Sequence, residues 1–275
     1  MLLRELMSEA RRKIAASGSD SAGADARYLA ETALGRSLEW LLVHDDYELS
    51  PVERARFDAM VARRCQGEPV AYITGRRGFW SLELACNSST LIPRPDTETL
   101  VEAALAAAPR NGRVHDLATG TGAVALALKK ERPDLAVSGS DVAPEAVELA
   151  RFNAAENRLD VDFFVSSWFE RVTERFDLIT ANPPYIAAGD EHLAQGDVRF
   201  EPRGALVAGD NGLADLKFII AHAPEYLLPG GRLLLEHGYD QKEPVQSFFS
   251  QHGYAEVATL KDLGGNFRVT CGTRK

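Results

Sequence analysis

Residues 113–131 read RVHDLATGTGAVALALKKE, and three patterns follow one another within them. Arg113 to Leu117 is a short run suited to a strand, Ala118 to Gly122 is a turn of small residues, and residues 122–131 repeat apolar side chains at helical spacing. Strand, tight turn and helix in that order form the opening unit of a sheet that carries helices on both faces. Small residues in such a turn let the backbone approach a ligand, while the helix start presents free amide groups. Alone, the turn is compatible with a dinucleotide, a phosphate or simple tight packing.

Working outward, the same alternation continues to the C-terminus. Strands are predicted at 113–117, 136–140, 161–165, 176–180, 231–236, 255–260 and 267–271, seven in all. Helices are predicted at 122–131, 144–157, 213–227 and 242–251. Only the short turn around Asp262-Leu263-Gly264-Gly265-Asn266 joins the last two strands, too short for a parallel crossover, so they should pair antiparallel. The expected fold is α/β, Rossmann-like: a seven-stranded, mostly parallel sheet with an antiparallel terminal hairpin.

Toward the N-terminus, residues 2–66 show helical spacing with no strand signal. Breaks at Ser17-Gly18-Ser19, at Gly35 and at Ser50-Pro51 divide them into about four short helices. Between Pro69 and Ile92 an aromatic, alternating run, Phe79-Trp80-Ser81-Leu82-Glu83-Leu84, suggests a short hairpin. The expected organisation is an N-terminal helical bundle at 1–68, a linker with a hairpin at 69–94 and a large α/β domain at 95–275.

Composition excludes several classes. A hydrophobic fraction of 45% and a charged fraction of 26% are ordinary for a globular protein, and no apolar run approaches a membrane span. The opening MLLRELMSEARRKIAAS alternates charge with apolar residues and lacks a secretory h-region, which points to a cytoplasmic address. Cys65, Cys86 and Cys271 are scattered, and the six histidines have no ligand spacing, so neither a disulfide framework nor a metal site is expected. A net charge of -9 argues against direct binding to nucleic acid, which depends on Lys and Arg neutralising phosphates, and favours a protein partner with a basic surface.

Three further places carry chemistry. Ser140-Asp141 ends the second core strand about twenty residues after the glycine turn, where a carboxylate can accept both hydroxyls of an adenosine ribose or cap the following helix. Trp168, after the third strand, is suited to stacking on an adenine ring or to the core. Asn182-Pro183-Pro184-Tyr185 follows the fourth strand, at the edge where open α/β sheets bind ligands, and its two prolines lead the chain out of the sheet in a stiff geometry. The Asn182 carboxamide oxygen and the Pro183 carbonyl can accept the two N–H groups of a planar amino nitrogen, favouring its pyramidal form as a methyl group arrives. Tyr185 offers a face for the planar group. The tetrapeptide alone leaves open a glutamine amide or an adenine amino group.

The sequence resembles the protein-(glutamine-N5) methyltransferases of the HemK/PrmC type over nearly its whole length. The likeness rests on Asn182 to Tyr185, on PVAYITG at 69–75, Phe79-Trp80, LIPRPDTE at 91–98, GDVRFEP at 196–202 and LEHG at 235–238. It implies the class I architecture, S-adenosyl-L-methionine as cofactor with S-adenosyl-L-homocysteine as product, and the glutamine of the Gly-Gly-Gln motif of class I peptide-chain release factors as substrate. It implies cofactor contacts from Ala118, Thr119, Gly120, Thr121, Gly122, Asp141, Trp168 and Asn182. Catalysis would fall to Asn182 and Pro183, with Pro184 and Tyr185 completing the substrate site. The helical unit would help to dock the release factor, and a monomer is expected. A ribosomal protein glutamine or an adenine N6 is the alternative acceptor. Two departures stand out: Ser167 replaces a residue often acidic, and Ala118 replaces the customary glycine, at little cost provided that its φ stays negative. Arg94, Arg199, Glu201 and His237 have no assigned role, though the loop holding Arg199 and Glu201 should wall the substrate site.

Overall fold

The computed structural model describes residues 1–275, which divide into two compact units: Met1–Arg76 with His192–Phe200, and Arg77–Glu191 with Glu201–Lys275. In the first unit, α1 (Leu3–Ala16), α2 (Ala22–Leu34), α3 (Leu38–Val43), α4 (Pro51–Cys65) and α5 (Val70–Thr74) share one apolar core. Leu3, Leu6, Ala10 and Ile14 recur at three and four along α1 and are all buried, as the helical period requires. The breaks have local causes. Gly35 ends α2 in the left-handed conformation. Ser50 accepts from the Glu53 amide while the Glu53 carboxylate accepts from the Ser50 amide, and Pro51 fills the first turn of α4. Arg64 ties His192–Phe200 to the helices: nearly buried, it pairs with Asp25 at 2.7 Å and Asp197 at 3.1 Å.

In the second unit, β1 (Arg76–Phe79) and β2 (Leu82–Ala85) form a hairpin that starts at the division. Then come α6 (Glu98–Ala107), β3 (Arg113–Leu117), α7 (Ala123–Glu131), β4 (Ala136–Asp141), α8 (Pro144–Asn157), β5 (Asp162–Val165) and β6 (Phe176–Ala181). After the two-residue strands β7 (Ile186–Ala187) and β8 (Val207–Ala208) follow α9 (Ala214–Tyr226), β9 (Leu227–Glu236), α10 (Lys242–Gln251), β10 (Ala255–Lys261) and β11 (Phe267–Thr273). The main sheet has seven strands in the order β10-β11-β9-β6-β3-β4-β5. Its pairs are parallel except those of β11, which runs antiparallel to both β9 and β10. The seven strands and the antiparallel end pair are those the sequence predicts; α6 is an additional helix, with Leu100, Val101 and Ala104 buried at helical spacing.

Strand alternation divides the core between the two faces. Val114 of β3, Leu178 of β6 and Leu234 of β9 pack with α6 and α7, whereas Leu117, Ile179, Leu233 and Leu235 pack with α9 and α10. Each such side chain, taken from water, contributes about 1.5–3 kcal/mol before chain entropy is counted. From β3 the chain proceeds through β4 and β5 on one side, then returns to place β6 on the other. This reversal opens a crevice at the carboxyl ends of β3, β4 and β6.

Candidate active site

A cleft of about 350 Å³ occupies that crevice. Ala118, Thr119, Gly120 and Thr121 line it from the turn after β3, Asp141 from the end of β4, Ser167 and Trp168 from the segment after β5, and Asn182 and Pro184 from the end of β6. Gly122 begins the helix beyond the turn; a Cβ there would come within 3.0 Å of the Phe163 ring, so glycine is required by packing as well as by its φ of +81°. Pro183 and Tyr185 do not line the cleft; Pro183 is buried, and Tyr185 packs partly buried against the α9 and α10 core.

Ala118 departs from expectation. Its φ is +52°, in the left-handed region, not negative. The turn must reverse between the end of β3 and the start of α7, and it does so with left-handed residues at 118, 120 and 122, one of which carries a Cβ. Trp168, at φ +46°, both lines the cleft and packs against the core of the α9 face.

The acidic groups are held in fixed positions. Asp141 accepts from the Gly120 amide at 2.9 Å and from the Ala143 amide at 3.0 Å, tying the β3 turn to the residue before α8; it does not cap that helix, whose N-cap is Ala143. Asp116, buried at the cleft floor, accepts from Thr119 at 2.6 Å and Thr180 at 2.7 Å, and burial pushes its carboxyl up to about 6. Asp215 also lines the cleft, its pKa raised by burial. His115, the neighbour of Asp116, faces away among Phe164, Phe176, Ser138 and Ser140, and burial pulls it down to about 4.

Thr97, also lining the cleft, accepts a hydrogen bond from Asn182 Nδ2 at 3.2 Å. With its nitrogen engaged, Asn182 keeps its carboxamide oxygen as a free acceptor. Arg94 lines the cleft and pairs with the buried Glu201 carboxylate. Arg199 instead belongs to the helical unit, its guanidinium stacked over Phe200 and bonded to the Gln66 carbonyl. His237 is a packed residue, held by the Gly238 carbonyl and Thr270 at 2.8 Å each. Thr97, Asp116 and Asp215 line the cleft without having been marked by their local sequence: Thr97 and Asp116 stand within stretches quoted for the family likeness or the turn, and Asp215 lies in the first turn of α9.

The donor set suits S-adenosylmethionine. Three carboxylates, Asp116, Asp141 and Asp215, line a cleft whose ligand would carry a sulfonium charge; a tight turn gives backbone access, and Trp168 gives an aromatic face. The sheet order, the carboxylate ending β4 and the Asn-Pro-Pro-Tyr segment ending β6 together define an S-adenosylmethionine-dependent methyltransferase. Two family descriptions agree: the PrmC N-terminal domain matches residues 5–75 and the methyltransferase small domain matches residues 95–201. The release factor glutamine methyltransferase of Salmonella typhimurium is 51% identical over 257 residues, covering 92% of this chain and 93% of that protein. That of Aliivibrio fischeri is 47% identical over 274 residues, covering 98% and 96%. A methyltransferase from Pyrococcus furiosus shares the fold, with a TM-score of 0.57 at 20% identity over 78% of this chain and 96% of the other. The chain belongs to the release factor glutamine methyltransferase family.

Proposed function

We propose that this chain methylates the side-chain amide nitrogen, N5, of the glutamine in the Gly-Gly-Gln motif of class I release factors. The observation that carries the reading is the orientation of Asn182: Thr97 holds its amide nitrogen, so its oxygen remains to accept a substrate N–H at the cleft. The Pro183 carbonyl is the second acceptor, and Tyr185, although it packs outside the cleft lining, is the side chain whose face would orient the amide plane. Two such acceptors draw the lone pair out of amide conjugation, which matters more in the transition state than in the ground state. Bound S-adenosylmethionine supplies the electrophilic methyl group. With that group bound, methyl transfer to the amide nitrogen would release S-adenosyl-L-homocysteine, and the product amide would lose its proton to water; Asn182 and Pro183 would hold the nitrogen for that transfer.

For the cofactor, the reading gives Ala118 to Gly122 close backbone approach, Asp141 the ribose hydroxyls and Trp168 the adenine. Residues 1–68 serve to dock the release factor and 95–275 to catalyse; the change of unit near Arg76 supports that division of labour. The protein works as a monomer in the cytoplasm without contacting nucleic acid, in keeping with its net charge of -9. No helix is long and apolar enough to cross a membrane.

The test incubates the protein and labelled S-adenosylmethionine with a release factor, the same factor lacking that glutamine, ribosomal proteins, and adenine-containing nucleic acid. Label should enter the intact release factor only. Asn182→Ala should lower turnover by about 10²-fold or more with the fold retained. Label on another acceptor, or near-normal turnover by Asn182→Ala, would overturn the assignment.

A further inference from the structure

One buried carboxyl stands behind both ends of the reactive tetrapeptide. Glu236, the last residue of β9, is 1% exposed. The Tyr185 hydroxyl donates to its Oε1 at 3.3 Å, and the Thr97 hydroxyl lies against the same carboxyl, lowering its pKa. Thr97 in turn accepts from Asn182. Thr97 therefore stands between Asn182 and the Glu236 carboxyl. Glu236 Oε2 is buried without a partner, and the Thr97 hydroxyl, already an acceptor from Asn182, has its own hydrogen committed to no other group. Leaving such an oxygen unsatisfied is costly, the more so when charged, so a donor beside it is strongly drawn to it.

We propose that Glu236 is a positioning residue: by taking the Thr97 hydrogen it sets the direction of the chain Asn182 to Thr97 to Glu236, which keeps the Asn182 oxygen turned toward the substrate. A carboxamide has nearly the same shape when rotated by half a turn, so packing does not choose between its oxygen and its nitrogen; hydrogen-bond partners do. A threonine hydroxyl has one hydrogen. Given to a carboxylate, it leaves only lone pairs for Asn182, which must then present its NH2 to Thr97. Without the carboxylate, the hydroxyl is free to donate to Asn182 Oδ1, and the NH2 group swings to the cleft, where a substrate N–H meets a donor.

Burial disfavours the Glu236 anion, so the carboxylate that takes the Thr97 hydrogen prevails only above about pH 7, helped by the groups that oppose burial. Arg268, bonded to Asp96 at 3.2 Å and Asp262 at 3.1 Å, acts on Glu236 to lower its pKa; burial raises it to about 7, and Asp96 adds to the rise. Tyr185, held by the same carboxyl, keeps its aromatic face in place from the other side. Both polar members of the tetrapeptide thus depend on one residue from the neighbouring strand.

The proposal rests on Asn182 being the acceptor, and its test separates the two. Glu236→Gln is isosteric, but its NH2 can donate to Thr97 and reverse the chain. It should lower kcat by about 10²-fold, the scale of losing one oriented polar group at a reacting centre, while S-adenosylmethionine affinity stays within about threefold. Thr97→Val should lose a similar factor, Thr97→Ser should recover most of it, and the Glu236→Gln/Thr97→Val double variant should be no slower than the worse single. A folded Glu236→Gln within about threefold of normal kcat, or a double variant whose losses multiply, overturns the proposal. Should Glu236→Gln not fold, equal kcat in Thr97→Val and Thr97→Ser overturns it instead. If Asn182→Ala is itself near-normal, the underlying reading fails; if Asn182→Ala is dead and Glu236→Gln active, only this inference does.

Discussion

Replacing Ala118 by glycine should make the protein more stable, although glycine ordinarily weakens a fold. At φ +52° the Ala118 Cβ crowds its own carbonyl, a cost of about 1–2 kcal/mol for an L-residue in the left-handed region. Glycine removes that cost but loses about 0.5–1 kcal/mol more backbone entropy on folding. The difference favours Ala118→Gly by about 0.5–1 kcal/mol, since the methyl group sits half-buried at the cleft wall and little packing goes with it. For a chain of this size that corresponds to a rise in Tm of about 1–4 °C. Urea unfolding and thermal melts of the parent and the variant would measure it. Ala118→Val is the control: a β-branched residue at positive φ should destabilise the protein by more than about 1 kcal/mol. Destabilisation by Ala118→Gly of more than about 0.5 kcal/mol would refute the strained-turn account, because relief of strain could not then be the larger effect.

Gly212, at φ +86°, lies where a Cβ would be 2.2 Å from the Tyr185 carbonyl oxygen, which Gln241 Nε2 also holds at 3.0 Å. Gly212→Ala should therefore shift Tyr185 and lower kcat by about 10²-fold with S-adenosylmethionine binding retained, read by steady-state kinetics beside calorimetry. In the helical unit, Arg64→Ala leaves the nearly buried Asp25 carboxylate without its cation, held only by the Ser19 and Ser21 hydroxyls. It should cost about 3 kcal/mol in urea unfolding and speed proteolysis within residues 192–200. Burial raises Glu236 from 4.5 to about 7 and Asp116 from 3.8 to about 6, so the folded chain binds protons that the unfolded chain has already lost. Their contribution is full below pH 4 and fades as pH rises to 7, while His115, lowered from 6.5 to about 4, acts oppositely. Unfolding free energies of Glu236→Gln should consequently fall less between pH 4.5 and 7 than those of the parent, as urea titrations across that range would show.

The sequence alone determined the strands, most of the helices and the stiff segment after the fourth strand. Strand alternation, helical spacing and turn residues act over a few positions, so the seven strands, the breaks at Gly35 and Ser50-Pro51 and the short last hairpin were legible from neighbours in the chain. Asn182-Pro183-Pro184-Tyr185 was legible for the same reason, as a stiff segment at a strand end. Tertiary structure decided what those residues face. The hand of the turn at Ala118 depends on how β3 must hand the chain to α7, which an alanine in the sequence does not reveal. Arg199 and Glu201, two positions apart, join different units, since the loop crosses the division between them. The orientation of Asn182 is also decided there: its amide could point either way until Thr97, 85 residues earlier, takes the nitrogen, with the Glu236 carboxyl at the end of another strand beside it. Hydrogen-bond direction is set by which groups the fold brings within about 3 Å, and the order of residues along the chain does not encode that distance.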